Sequence, residues 1–357
     1  MAKRSGDVAM VVTGTAAGIA LLYFLRPILI PLILALVLAV LVSAVERFIR
    51  NRSDNAPRWA PPLVAGLLVL FGAVVASMVI AQGTAQIVTQ APALIGRIDT
   101  IVHDLSRGAG IEREISIATL VGSINIPQLA GQLAGSVSNL VSSLLLMLTY
   151  FLFIIAGRAK TRKKFAHLSE LPSSSGRIEA AAGRVADDIE TYIWVQTVTG
   201  LMICVPAAIA MFAIGLDNTL FWTVILFLLS FIPILGVTVG SVVPALFALL
   251  QYTTWWQAAF VFGAIQVAAF VVGNLIYPRM QAKTQNIDPI ATLLSLAFWG
   301  WLWGLAGAFL AVPMTLIVMF ACAHFPNARW VAVLLSNDGR VAVPGEKPEA
   351  IAEKGER

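Results

Sequence analysis

Charge is scarce in this sequence. Only 12% of its 357 residues are Asp, Glu, Lys or Arg, whereas 59% are hydrophobic; ordinary soluble domains are about a quarter charged and under half apolar. Successive apolar runs of roughly 18 to 25 residues are long enough to cross a hydrocarbon core. Because every backbone group in lipid needs an internal partner, the runs predict an all-α, polytopic integral membrane helix bundle.

Residues that bind metals or carry out covalent chemistry are also few. The two cysteines lie inside apolar runs, and the three histidines are scattered without ligand spacing, so the sequence predicts no metal and no cofactor. It contains no G-x-x-x-x-G-K-[ST] phosphate loop, which argues against an ATP-driven pump. An intramembrane serine hydrolase needs a base beside its serine, and none accompanies Ser230 or Ser241 in their apolar runs. We therefore predict that the chain is not an enzyme.

The apolar segments alternate with short clusters of positive charge. These segments lie near residues 8–25, 28–45, 62–82, 138–156, 194–215, 219–235, 237–250, 257–277, 290–304 and 306–323. The first follows Lys3 and Arg4 without a clear cleavage site, which favours a retained span over a removed signal peptide.

Lysine and arginine clusters indicate the orientation. Four clusters flank the apolar segments, near residues 3–4, 47–58, 158–164 and 279–283, and the positive-inside rule predicts all four to be cytoplasmic. The chain is then a multi-pass protein of the bacterial inner membrane with both termini cytoplasmic. The net charge of +5 is explained by lipid headgroups and topology, so no nucleic-acid partner is predicted.

Two apolar segments contain residues that interrupt helices. Proline removes a backbone donor and glycine weakens the helix, so residues 219–250 and 290–323 predict two broken or re-entrant helical hairpins. The interrupting residues are Pro233 and Gly236 in the first, and Gly304, Gly307 and Pro313 in the second. Broken helices can bind solutes through freed backbone groups, although close packing of small residues explains the same pattern.

Uncharged polar residues at membrane depth are the main candidates for a solute path. Gln196, Ser230, Gln266 and Asn274 lie within apolar segments, where burying them costs free energy unless they find partners or water. Simple interhelical hydrogen bonding is the alternative. Arg279 and Lys283 follow the last of these positions, where an anion-attracting vestibule and a plain topology signal both fit.

The C-terminal half resembles the autoinducer-2 exporter-like (AI-2E) transporters, and the segment order is similar over nearly the whole chain. Three stretches carry the resemblance: Phe231-Ile232-Pro233 with Gly236 and Pro244, then Pro278-Arg279 with Lys283 and Pro289, then Gly304, Gly307, Ala311 and Pro313. The resemblance implies an exporter or channel-like carrier of small polar signalling molecules or metabolites. It also implies a homo-oligomer, with a pentamer among the expected assemblies.

Some relatives are linked to sodium/proton exchange, and here the sequence departs from the family pattern. Residues 272–276 contain no carboxylate, and Ser230 stands where an acidic residue is common in the family. Because of these departures, export of a small polar solute is the leading prediction, and cation/proton antiport is kept as the alternative. A non-transporting membrane scaffold is a further alternative.

These expectations divide the chain into five regions. Residues 1–82 hold three membrane segments, and 83–137 an extracytoplasmic amphipathic helical region. Residues 138–193 form a span with a cytoplasmic amphipathic helix, 194–325 a transport core, and 326–357 a largely disordered cytoplasmic tail.

Overall fold

The computed structural model describes residues 2–52, 60–108, 142–157, 175–233, 235–281, 287–325 and 328–339. Within these ranges the chain is helical and contains no strand, which confirms the all-α prediction. The helices are α1 (Ala2–Phe24), α2 (Arg26–Arg52), α3 (Ala60–Gly108), α4 (Ser142–Gly157), α5 (Ser175–Ala213), α6 (Thr219–Ser230), α7 (Leu235–Gln251), α8 (Trp256–Val271), α9 (Tyr277–Gln281), α10 (Pro289–His324) and α11 (Arg329–Leu335). A single π-helical turn, Val272–Ile276, joins α8 to α9.

Five helical stretches are long and apolar enough to cross a membrane. They are Arg26–Ser43, Leu70–His103, Ala186–Ala213, Trp256–Ile276 and Pro289–Ala323. Shorter apolar helices comprise Val12–Phe24, Ser142–Gly157, α6 and α7. Within the described residues, every apolar segment that the sequence predicts lies mainly in helix, and the polytopic membrane bundle is confirmed.

Both predicted interruptions are present. Residues 231–233 separate α6 from α7, and the backbone of Gly304 leaves the helical region inside α10, with φ 64° and ψ −141°. An L-residue with a side chain rarely adopts that conformation, so glycine is what permits the kink. The two broken hairpins therefore arise from the residues that the sequence analysis singled out.

Two helices are longer than the segments predicted for them. Helix α3 has 49 residues and contains both the predicted span at 62–82 and the amphipathic stretch after it, because no residue between them ends a helix. Helix α5 likewise has 39 residues and joins the amphipathic stretch before residue 193 to the span after it. The amphipathic helix predicted near 126–137, the basic run at 158–164 and the predicted tail beyond residue 339 lie outside the described residues.

Contacts divide the chain into two units. The terminal unit comprises Met1–Pro62, Leu144–Trp194 and Lys283–Arg357, and the hairpin unit comprises Leu63–Ser143 and Val195–Ala282. In the terminal unit, α10 begins at an N-cap, where the Asp288 carboxylate accepts bonds from the backbone of Ile290 and Ala291 at 2.8 and 3.1 Å. This contact gives Asp288 a structural role.

The hairpin unit has an apolar core formed by α5 to α8. Trp222, Leu226, Ala248 and other buried side chains form it, and Ile87 and Leu94 of α3 pack against it. The amphipathic stripe of α3 thus covers the core of this unit, as its helical spacing predicts.

Candidate functional site

The break between α6 and α7 exposes backbone groups that a continuous helix would pair. Around the break, Ile232 donates to the Leu229 carbonyl at 2.8 Å, and Gly236 donates to the Ile232 carbonyl at 3.0 Å. Proline at position 233 has no N–H to donate. The N–H groups of Phe231 and Ile232 pair the Leu228 and Leu229 carbonyls, whereas the Ser230 carbonyl at the end of α6 takes its partner from another helix.

Gln196 of α5 supplies that partner. Its side-chain amide donates to the backbone carbonyl of Ser230, the last residue of α6. Both residues are buried, with 8% and 3% of their surfaces exposed. The Ser230 hydroxyl is itself satisfied, because it donates to the Phe227 carbonyl at 2.7 Å. The sequence placed Gln196 and Ser230 among its candidates, and the structure brings them into direct contact.

Two glycines allow the backbones to approach closely around this contact. A Cβ atom on Gly200 would lie 2.6 Å from the Ser230 hydroxyl oxygen. A Cβ atom on Gly236 would overlap the Leu229 carbonyl. Gly200 therefore lets α5 pack directly on the end of α6. Gly236 lets the start of α7 pack on the last turn of α6.

A cavity of about 270 Å³ opens beside the Gln196–Ser230 contact. We call it the hairpin cavity. Its lining includes Gln196, Thr199, Gly200, Ser230, Pro233 and Tyr277. The Thr199 hydroxyl donates to the Val195 carbonyl at 2.7 Å, which leaves its oxygen lone pairs as acceptors. The polar part of the wall is uncharged, and it offers backbone and side-chain groups for hydrogen bonds.

Part of the cavity wall comes from the π-helical turn. Val272 and Gly273 line the hairpin cavity, and both belong to the turn Val272–Ile276. A π turn adds one residue to the helical repeat and is found frequently at functional sites. It changes which side chains face a neighbour. The side chain of Asn274 is exposed, and its amide donates to the Phe270 carbonyl one turn earlier at 2.9 Å.

The remaining predicted site residues lie away from this cavity or beyond the described chain. Gln266 is exposed on α8, and Arg279 is exposed on α9. Gly304, Gly307 and Pro313 belong to the terminal unit. Lys283 lies outside the described residues. The hairpin cavity therefore contains Gln196, Ser230 and Pro233 from the predicted set, and Gly236 packs next to it.

The cavity wall also contains residues outside the predicted set, among them Thr199, Gly200, Gly273 and Tyr277. A signal existed for the first two, since Gln196, Thr199 and Gly200 recur at helical spacing on one face of α5. No signal indicated the π turn that presents Gly273 and Tyr277.

The second break has a hydroxyl cluster of its own. Ser295 and Thr315 are buried and share a hydrogen bond between their hydroxyl oxygens. The Thr315 hydroxyl donates to the Ala311 carbonyl at 2.6 Å, so its oxygen accepts the bond from Ser295, whose own oxygen lies 3.2 Å from the same carbonyl. Gly307 packs on the Trp299 carbonyl, where a Cβ atom would overlap it. These contacts hold the two arms of α10 together on either side of Gly304.

Carboxylates and metal ligands are not grouped at either break. Within the described ranges no three His, Cys, Asp or Glu residues lie close enough to hold a metal ion. The polar groups that line the hairpin cavity are neutral donors and acceptors of hydrogen bonds.

Comparison with known proteins places these features in a family. The chain is 30% identical to a Haemophilus influenzae protein named "Putative transport protein" over 200 residues, which are 55% of this chain and 56% of the relative. It is 28% identical to the AI-2 transport protein TqsA of Escherichia coli over 196 residues, again 55% of this chain and 56% of the relative. The chain thus spans about half the length of the curated relatives it matches.

The family match is longer than any of these. The model that describes AI-2E family transporters matches residues 14–327, which include both broken hairpins and the hairpin cavity. The relatives are bacterial proteins named as transport proteins and permeases. With its long apolar helices, the chain is a multi-pass protein of the bacterial inner membrane, and it belongs to the AI-2E transporter family.

Proposed function

We propose that this protein is a secondary transporter or facilitator that moves a small polar solute across the membrane without ATP. One observation carries the proposal: the buried amide of Gln196 meets the carbonyl end of a broken helix at the wall of a cavity. Secondary transporters commonly bind their substrates where membrane helices are interrupted, because freed backbone groups replace part of the solute's hydration shell.

The free-energy cost of burying these polar groups supports a functional role for them. Burying an amide and a broken helix end in an apolar bundle is costly, and a continuous apolar helix would avoid the cost. Gln196 pairs the Ser230 carbonyl at the broken end, and the polar wall of the cavity beside it offers hydrogen-bonding groups to water or solute. Family membership supports the same conclusion.

The cavity chemistry favours an uncharged solute over cations. None of its described lining residues is acidic or basic, so a sodium/proton exchange site built on a buried carboxylate has no support here. A relative from Escherichia coli is named an AI-2 transport protein, and we propose export of a comparable small signalling molecule or metabolite. We further propose a homo-oligomer, with five subunits as the assembly to test by native mass spectrometry.

A flux assay tests the proposal. Purified protein is reconstituted into liposomes, and efflux of small hydroxylated solutes is compared between wild type, Gln196→Leu and Gln257→Leu. Gln257 is a matched control, because its amide oxygen accepts from Thr254 at 2.6 Å at the start of α8, outside the hairpin cavity.

We expect Gln196→Leu to lose about tenfold or more of the flux, since it removes one hydrogen bond and leaves a buried carbonyl unpaired. Gln257→Leu retains wild-type flux. Equal flux in all three proteins would remove the hairpin cavity from the path. No flux above empty liposomes for any solute or ion gradient would contradict transport itself.

We also propose that both termini are cytoplasmic, on the positive-inside argument. Reporter fusions at the C-terminus and after Arg279 then give cytoplasmic signals together. Opposite signals from the two sites would overturn this orientation.

A further inference from the structure

A second cavity in the hairpin unit has an amide-rich wall. It measures about 350 Å³ and lies where the α5–α6 turn meets α3. Its polar lining residues are Gln82, Gln86, Asp217, Asn218 and Thr219. We call it the Asn218 pocket. Its volume falls at the lower end of the roughly 300–1,000 Å³ of small-molecule sites, and it shares no lining residue with the hairpin cavity.

Asn218 is the unusual residue of this pocket. Its backbone is left-handed, with φ 58° and ψ 27°, and it precedes the first turn of α6. Both the nitrogen and the oxygen of its side-chain amide are buried without a hydrogen-bond partner among the described residues. Leaving a buried polar group unpaired costs about 1–3 kcal/mol, so this amide needs a partner that the described residues do not provide.

A second unpaired donor lies one helical turn further along. The indole N–H of Trp222 is also buried without a partner in the described chain, and Trp222 bonds through its backbone N–H to the Asn218 carbonyl at 3.0 Å. The Trp222 ring packs in the apolar core of the unit and is not among the residues that line the Asn218 pocket. Unsatisfied polar groups are nevertheless concentrated at the start of α6.

Helix α3 brings two further amides to the pocket. Gln82 and Gln86 are four residues apart and line the same wall. Gly83 between them lies against the Phe221 ring, which a Cβ atom at this position would overlap. This close approach sets the distance between α3 and α6, and therefore the width of the pocket.

The charge of the pocket selects among possible ligands. Asp217 is its only ionisable residue among those described, and it accepts a bond from the Gln90 amide at 3.4 Å. None of the described lining residues carries a positive charge that could balance an anionic ligand. Amides both donate and accept hydrogen bonds, and so do hydroxyl groups, whereas an ammonium group would leave the amide donors unpaired.

We propose that the Asn218 pocket is a binding site for an uncharged, polyhydroxylated solute, whose hydroxyl groups pair with the amides of Asn218 and Gln86. The amide atoms of Asn218 are buried, so this pairing requires its side chain to turn toward the pocket that the residue lines. If the pocket is a second binding site along the solute path, that role rests on the proposed transport function. Binding to the pocket does not depend on transport, and it can be measured without a flux assay.

The test is equilibrium dialysis of radiolabelled xylitol against the full-length chain in lipid nanodiscs. Asn218→Gly removes the amide and keeps the left-handed backbone accessible. Gln86→Leu changes an exposed side chain, so it should fold normally. It therefore tests the pocket independently if Asn218→Gly fails to fold. Gln257→Ala is the control, and the carboxylate analogue xylonate probes charge selection.

We expect saturable xylitol binding to wild type and to Gln257→Ala. Binding weakens about tenfold in Asn218→Gly and in Gln86→Leu, as loss of one or two hydrogen bonds predicts. Xylonate binds at least about tenfold more weakly than xylitol, since one carboxylate faces it and no cation does.

Three results would overturn the inference: no saturable xylitol binding to wild type, wild-type affinity in Gln86→Leu, or xylonate binding as tight as xylitol binding. Its failure is distinguishable from failure of the proposed function. Flux that depends on Gln196 with no xylitol binding leaves transport standing, and binding that depends on Gln86 without flux leaves the Asn218 pocket standing.

Discussion

At the scale of single residues, Gly200 decides how closely α5 approaches the end of α6. An added Cβ atom would lie 2.6 Å from the Ser230 hydroxyl oxygen and 3.3 Å from the Phe227 ring. We expect Gly200→Ala to destabilise the protein by about 1–3 kcal/mol, as overpacking does in close-packed interiors, and to reduce flux because the hairpin cavity narrows. Thermal unfolding in detergent and the liposome assay measure the two effects.

Gly263 is the matched control for this change. It lies within α8, and a Cβ atom there meets nothing within 4 Å, so Gly263→Ala keeps wild-type stability or raises it slightly, because alanine is the better helix former. Equal midpoints for Gly200→Ala and Gly263→Ala would contradict the close contact that we describe.

The sequence predicted part of the site at this scale. Gln196 and Ser230 could be singled out because a polar side chain at membrane depth needs a partner. Their pairing with each other could not, since 34 residues separate them and only the fold brings them together. Gln266 and Asn274 satisfied the same criterion, yet both are exposed, because hydropathy gives the depth of a residue and not the face it occupies.

At the scale of helices, Gly304 determines the shape of α10. Its φ of 64° and ψ of −141° are accessible almost only to glycine. We expect Gly304→Ala to cost about 1–3 kcal/mol in backbone strain or to straighten the helix, which would separate Ser295 from Thr315. Thermal unfolding measures the first outcome. A disulfide introduced at these two positions measures the second, since it forms only while the arms remain folded together.

Gly300 provides the comparison on the same helix. A Cβ atom at Gly300 would meet its nearest neighbour, Ala308, at an ordinary 3.9 Å, and Gly300→Ala is therefore tolerated. If Gly304→Ala unfolds at the same temperature as Gly300→Ala and still forms the disulfide, glycine is not what permits the kink.

The sequence predicted where helices occur, but it did not predict which adjacent helical stretches join into one helix. The apolar runs were predicted from composition and the amphipathic stripe of α3 from its periodicity, and both are helical in the described residues. The join between them in α3 and α5 was missed, because a change from an apolar to a mixed composition resembles a boundary even where no residue ends the helix. The π turn at Val272–Ile276 was also missed, since it depends on packing and has no composition of its own.

At the scale of the whole chain, composition was the most informative property. A content of 12% charged residues predicted a membrane bundle, and the five long apolar helices agree with it. Composition carried no information about how segments associate. The hairpin unit combines residues from Leu63–Ser143 and Val195–Ala282, a grouping of distant segments that only tertiary packing determines.

The central claim is that water and solute reach the hairpin cavity. It can be tested by labelling single cysteines with a membrane-impermeant maleimide, in a background where Cys204 and Cys322 are replaced by alanine. Ser230→Cys places a thiol at the cavity wall. Ala207→Cys places one in the apolar core, where Ala207 is 0% exposed. A thiol must ionise to react, which requires access to water.

We predict rapid labelling of Ser230→Cys in folded protein and none of Ala207→Cys, with labelling of Ser230→Cys slowed by a transported solute. If Ser230→Cys stays as unreactive as Ala207→Cys until the protein is denatured, water and solute do not reach the hairpin cavity, and the cavity is not part of a transport path.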